Sequence, residues 1–172
     1  MCSTVGIVTE FPIPTAGGIT TLTDITSGPD GNLWFTVSGE PSQIGRITPQ
    51  GSVTMFPPVS SLSYITSGPD GNLWFTEQVD KIGRITPSGV ITELPIPTAN
   101  SSPFGITTGS DGNLWFTEFG ANQIGRITPS GVVTEFPIPT ANSSPFGITT
   151  GPDGNLWFTE SSAGQIGRIT IH

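Results

Sequence analysis

Asp30-Gly31-Asn32-Leu33-Trp34-Phe35-Thr36 returns as Asp70–Thr76, Asp111–Thr117 and Asp153–Thr159, with starts 40, 41 and 42 residues apart. A period of this length marks a repeat architecture, in which one unit cannot bury its own apolar faces and stacks on copies of itself. The third copy reads outward from its motif as four strands. Phe104–Gly109 is short, rich in β-branched residues and ends at glycine. Ser110-Asp111-Gly112-Asn113 carries the Asp-Gly pair of a type I′ hairpin, whose two central residues both take positive φ. Asn113–Glu118 is the second strand, with Leu114 and Phe116 on one face and Trp115 and Thr117 on the other. Gln123–Thr128 is the third and Val132–Phe136 the fourth, joined by a turn at Pro129–Gly131. Pro137 and Pro139 then stop pairing, because proline has no N–H to donate.

No stretch sustains a 3.6-residue apolar period, so no helix is expected. A four-stranded antiparallel unit of this length matches a β-propeller blade. The rival, a β-helix, has shorter coils and no repeated Asp-Gly hairpin. The predicted fold is therefore all-β, a β-propeller of four-stranded antiparallel blades, with residues 1–172 forming one array of four.

The ends are out of phase with the repeat. Gly6–Pro12 copies the fourth strand at Gly131–Pro137, and the chain closes just after Gln165–Thr170, a copy of the third. The N-terminal strand 6–12 is expected to complete the last blade, within the chain or in a partner, which removes exposed sheet edges. Glycine and threonine dominate the innermost strand, which suits a ring wider than four blades. The expected assembly is a homodimer, two chains joined head to tail in an eight-bladed ring. A closed four-bladed monomer is the alternative.

Composition bounds the partners. The net charge is −8, with five cations: Arg46, Lys81, Arg84, Arg126 and Arg168. Nucleic acid demands a basic footprint that this chain lacks, and an anionic membrane surface is disfavoured for the same reason. No apolar run approaches the roughly 20 residues of a membrane span. Cys2 is the sole cysteine, so neither an internal disulfide nor a Cys-based zinc site is expected. No signal peptide is legible, and the expected compartment is the cytoplasm.

The run Pro145-Phe146-Gly147-Ile148-Thr149-Thr150-Gly151-Pro152-Asp153-Gly154-Asn155-Leu156-Trp157-Phe158-Thr159-Glu160, followed by Ile166–Thr170, resembles the virginiamycin B lyase family of streptogramin-inactivating β-propellers. The likeness covers the whole chain. It implies seven blades in one chain, whereas this sequence holds four. It also implies a lyase that opens a cyclic depsipeptide at its ester by elimination, with Mg²⁺ polarising the substrate, a histidine as general base and a glutamate nearby. By motif the histidine position holds Thr23, Ser63, Phe104 and Phe146, and the glutamate position holds Val37, Glu77, Glu118 and Glu160. Phenylalanine cannot abstract a proton. The sole histidine, His172, stands outside the motif.

Glu77, Glu118 and Glu160 are expected to line one rim near the central channel, where carboxylates suit a hard cation such as Mg²⁺ or Ca²⁺. Glu118 and Glu160 are the candidates for a catalytic role. Phe104 and Phe146 should stand beside them as an apolar rim or a plug. No residue is assigned as a metal ligand. The Asp-Gly aspartates read as turn residues, the arginines as partners of same-blade acids or carbonyls, and the four tryptophans as packing between blades. Copies three and four, Gly89–Glu118 and Gly131–Glu160, differ at three positions only. Such likeness points to recent amplification, a fragment or a designed array. The expected function is a non-catalytic scaffold or binding ring. A Mg²⁺-dependent streptogramin B lyase is the alternative.

Overall fold

A computed structural model describes residues 6–14 and 21–171. Fifteen strands, and no helix among the described residues, form four antiparallel sheets. Blade one holds β1 (Thr21–Ser27), β2 (Leu33–Ser38), β3 (Ser42–Ile47) and β4 (Val53–Val59). Blade two holds β5 (Leu62–Ser67), β6 (Leu73–Glu77), β7 (Lys81–Ile85) and β8 (Ile91–Pro95). Blade three holds β9 (Pro103–Thr108), β10 (Leu114–Glu118), β11 (Gln123–Ile127) and β12 (Val133–Pro137). Blade four holds β13 (Pro145–Thr150), β14 (Leu156–Glu160) and β15 (Gln165–Ile169). Each sheet is a meander, and the first strands of neighbouring blades pack side by side as the inner strands. No helix of the described residues is long and apolar enough to cross a membrane.

Alternation along the second strand explains why the blades stack. In β6, Leu73, Phe75 and Glu77 face the preceding blade and Trp74 and Thr76 face the following one. The core therefore lies in the seams. Trp34, Ile44 and Phe56 of blade one meet Leu62, Ile65, Leu73, Phe75 and Ile85 of blade two. The same set recurs at the next seam, where Trp74 and Ile82 meet Ile106, Leu114, Phe116 and Ile127. Trp34, Trp74 and Trp115 are buried there, as expected. Gly83 explains the invariant glycine of the third strand in this chain: Phe75 lies so close above it that a Cβ would overlap the ring.

The hairpin differs from the expected type I′ turn. Gly112 has φ +72°, but Asp111 is absent from the positive-φ residues. The Gly112 amide donates to the Gly109 carbonyl at 3.1 Å, and the Gly109 amide donates to Asn113 at 2.8 Å. This is a three-residue loop, an ordinary turn closed by a left-handed glycine. Asp111 stays in the ordinary region because its side chain is occupied. Its carboxylate accepts from the Asn113 amide, Asn113 Nδ2 and Trp115 Nε1. Three of the four arginines pair with these acids, as in Arg46–Asp30 at 3.5 Å, while Arg46 and Arg84 also donate to Pro87 and Pro129 carbonyls of the next blade.

Residues 6–14 form no strand. They run along blade one, where Ile13 packs on Phe35, Val37 and Ile47, and Phe11 covers Gly51. Among the described residues the fourth sheet has three strands, with β15 at its edge. Among the described residues no strand of this chain pairs with the outer edge of β15. The N-terminal segment packs instead on the face of blade one opposite to the one that meets blade two.

Candidate functional site

The inner strands begin, and the second strands end, at one edge of the array. Register puts Leu62 opposite Glu77, Pro103 opposite Glu118 and Pro145 opposite Glu160. The expected neighbourhood of residues 104 and 118, and of 146 and 160, is thus present. What gathers there in space is aromatic. Phe104 and Phe146 lie 4.9 Å apart between ring centroids, Phe119 is 5.5 Å from Phe104, and Tyr64 meets Phe146 edge-on at 6.1 Å. Side chains of blades two, three and four so form one half-exposed surface.

The backbone beneath this surface is held by hydroxyls. Thr76 Oγ1 donates to the Phe104 carbonyl at 2.6 Å and Thr117 Oγ1 to the Phe146 carbonyl at 2.8 Å. Thr36 does the same to Ser63. Each rim residue is thereby tied to the blade before it. At blade one, Thr23 Oγ1 pairs with Thr36 Oγ1 at 2.7 Å.

The glutamates depart from expectation. They do not line an open rim; Glu77 and Glu118 are 0% exposed and Glu160 is buried, each on the blade face turned towards its predecessor. Strand alternation causes this, because they share a parity with Leu73 and Phe75 rather than with Trp74. Glu77 accepts from the Ser60 amide at 3.1 Å through one oxygen, and its other oxygen has no partner. Neither oxygen of Glu118 has a hydrogen-bond partner among the described residues. Burial, then the charges of Glu135 and Asp80, pushes the Glu118 carboxyl up to about 8. Burial and then Glu93 push Glu77 up to about 7, against the Ser60 amide and Lys81. Glu118 is accordingly a neutral acid at pH 7, sealed away from any ligand on the aromatic surface.

These carboxyls lie in separate seams. Among the described residues no three His, Cys, Asp or Glu side chains gather where one ion could hold them. Glu118, its carboxyl pushed up to about 8 by burial, is also a poor ligand for Mg²⁺. The candidate glutamates do not fit a shared cation site. His172 lies outside the described residues.

Two surface members escaped the sequence reading. Tyr64 replaces the glycine found at Gly105 and Gly147, and Phe119 follows the motif glutamate where Gln78 and Ser161 stand in other copies. Departure from the repeat was the signal in both cases. A polar groove of about 530 Å³ opens on the same edge, lined by Pro41, Val59, Leu62 and Gln78 among others. Gln78 bonds to the Ser63 hydroxyl at 2.9 Å, which joins the groove to the inner strand of blade two.

The profile of the Virginiamycin B lyase family matches residues 1–172. Three solved structures are similar. A virginiamycin B lyase from Staphylococcus aureus shares 49% identity at TM-score 0.90, over 96% of this chain and 57% of that one. A catalytically inactive His-to-Ala variant of the Staphylococcus aureus enzyme with quinupristin shares 50% at TM-score 0.89, with the same coverage. A streptogramin B lyase shares 44% at TM-score 0.87, over 94% and 55%. The chain thus spans a little over half the length of these relatives. No curated protein sequence matched. A whole-length family match, carried on blades of the same geometry, leads to one assignment: the chain belongs to the virginiamycin B lyase family.

Proposed function

We propose that this chain is a non-catalytic binding member of its family, which holds an aromatic-bearing cyclic depsipeptide on Tyr64, Phe104, Phe119 and Phe146. One observation carries the reading. The positions where the resemblance puts the general base hold Thr23, Ser63, Phe104 and Phe146, and the two phenylalanines are packed on each other. A general base needs a titratable atom within reach of the proton it removes. The glutamates that could substitute are sealed in the seams. Half-exposed aromatic faces, by contrast, suit offset stacking on a ligand's own rings. Quinupristin is the probe of choice because a relative is described with it.

The test pairs binding with turnover. Titration calorimetry with quinupristin should give saturable binding, weakened at least tenfold by the double substitution Phe104→Ala, Phe146→Ala. Chromatography of the same mixtures with added Mg²⁺ should return the depsipeptide unopened. Ring opening that is lost in Glu118→Gln or Glu160→Gln would overturn the proposal in favour of a lyase. Binding unchanged by the double substitution would overturn the site.

A further inference from the structure

The straps that join one blade to the next are unequal. Pro95-Ile96-Pro97-Thr98-Ala99-Asn100 lies between Leu94 and Ser101, and Pro137–Asn142 repeats it between Phe136 and Ser143. Between Phe56 and Ser60 stand only Pro57, Pro58 and Val59. The strap from blade one to blade two is thus shorter by the length of Thr98-Ala99-Asn100. In the second strap those residues are built into the rim. The Thr98 amide donates to Glu135 at 3.0 Å, and the Asn100 amide and Ser101 hydroxyl donate to Asp80 at 2.8 and 3.0 Å. The Gly120 amide donates to the Ser101 carbonyl at 2.9 Å, and a Cβ on Gly120 would overlap the Asn100 carbonyl.

At the first seam these partners are changed. Ser42 takes the position of Asp80 and Asn122, one residue before Gln43, Lys81 and Gln123. Its hydroxyl turns back to the Gly39 carbonyl at 3.1 Å instead of gripping a strap. Val79 takes the place of Gly120. The Gln78 amide still donates to the Ser61 carbonyl at 3.0 Å, but among the described residues the Val79 amide and the Ser60 carbonyl have no backbone partner. The short strap, the small Ser42 and the unpaired peptide groups together leave the groove of about 530 Å³, walled by Glu40, Pro41, Ser60, Ser61, Gln78 and Val79. It lies between two complete four-stranded blades, and none of its described lining residues is a cation.

We propose that this groove binds a short linear peptide, extended and with a cationic end, in the place of the missing strap residues. The peptide backbone meets the Val79 amide, a donor, and the Ser60 carbonyl, an acceptor. Main-chain pairing of this kind supplies the affinity in strand-type peptide recognition. The length of Thr98-Ala99-Asn100 sets the length of chain that the groove takes. Charge selects the end. Glu40 is exposed on the wall, no lining cation balances it, and the whole chain carries −8, so an ammonium group is drawn in and a carboxylate is repelled. Glu77 steadies the wall from behind: its buried carboxyl accepts from the Ser60 amide at 3.1 Å, which fixes the strap beside the groove. The site does not depend on the aromatic surface, since none of Tyr64, Phe104, Phe119 and Phe146 lines it.

The probe is the tripeptide Thr-Ala-Asn with a free amino terminus and an amidated carboxyl terminus. Its comparison is the acetylated tripeptide with a free carboxylate. Amide-resolved NMR titration of the full chain should show saturable shifts at Gln78 and Val79 and none at the exposed Val132. The comparison peptide should bind at least about tenfold more weakly. Glu40→Lys, an exposed change, should reverse the preference between the two peptides. A variant with Thr-Ala-Asn inserted between Val59 and Ser60, together with Val79→Gly, restores the strap and should bind neither peptide while keeping the parent's far-UV circular dichroism. Should that variant not fold, Glu40→Lys decides alone. No saturable shift at Gln78 and Val79, shifts confined to Tyr64 and Phe119, a folded strap-restored variant that still binds, or a preference unmoved by Glu40→Lys would each overturn the proposal.

Discussion

Glu118→Gln is expected to stabilise this protein at neutral and alkaline pH, against the usual direction of core substitutions. Glu118 is 0% exposed, has no hydrogen-bond partner for either oxygen, and is pushed from 4.5 to about 8 by burial and by Glu135 and Asp80. A carboxyl whose folded pKa lies above its unfolded value holds more protons folded than unfolded. Its folded state is least penalised below about pH 4.5, and stability falls as pH rises from there to about 8, where the loss levels off. One pKa unit is about 1.4 kcal/mol, so staying protonated at pH 7 costs roughly 3 kcal/mol. Glutamine has the shape of the neutral acid and does not titrate. The variant should therefore match the parent near pH 4.5 and exceed it by about 3 kcal/mol at pH 7, or roughly 6–12 °C in Tm for a chain of this size. Thermal melts followed by far-UV circular dichroism between pH 4.5 and 8.5 would measure both. Two curves that run parallel across this range would refute the reasoning. So would a variant less stable than the parent at pH 8.

Other perturbations probe the blade itself. Gly83→Ala drives a Cβ into the Phe75 ring and should cost about 1–3 kcal/mol in urea unfolding, as overpacking does; a change within 0.5 kcal/mol would show that the ring moves freely. Asp70→Ala strips the acceptor from Trp74 Nε1, Asn72 Nδ2 and the Asn72 amide, and should cost about 1–3 kcal/mol because two of these groups lose their partner inside the turn. Asp70→Asn, which keeps an acceptor oxygen, should recover most of that loss in the same assay.

The strands and their order were legible because the repeat states them four times, and β9 to β12 begin and end within a residue or two of the expected limits. The turn type was not, because Asp-Gly alone cannot say whether the aspartate side chain is free; here Trp115 and Asn113 occupy it, and Gly112 alone turns left-handed. The glutamates were placed correctly along the strand and wrongly in depth. Alternation puts Glu77 and Glu118 beneath the neighbouring blade, and seeing that required knowing which face of β6 and β10 meets which blade. A repeat records what every blade needs, which is stacking, so its shared residues explain stability. The residues that break it carry the remaining information. Tyr64 in place of a glycine, Phe119 after Glu118 and Val37 in place of a glutamate have no counterpart in the common seam. The first two build the aromatic surface, and Val37 joins Phe35, Ile47 and Ile13 on the face of blade one turned away from blade two. In a chain whose scaffold is written four times over, function is therefore to be sought where the copies disagree.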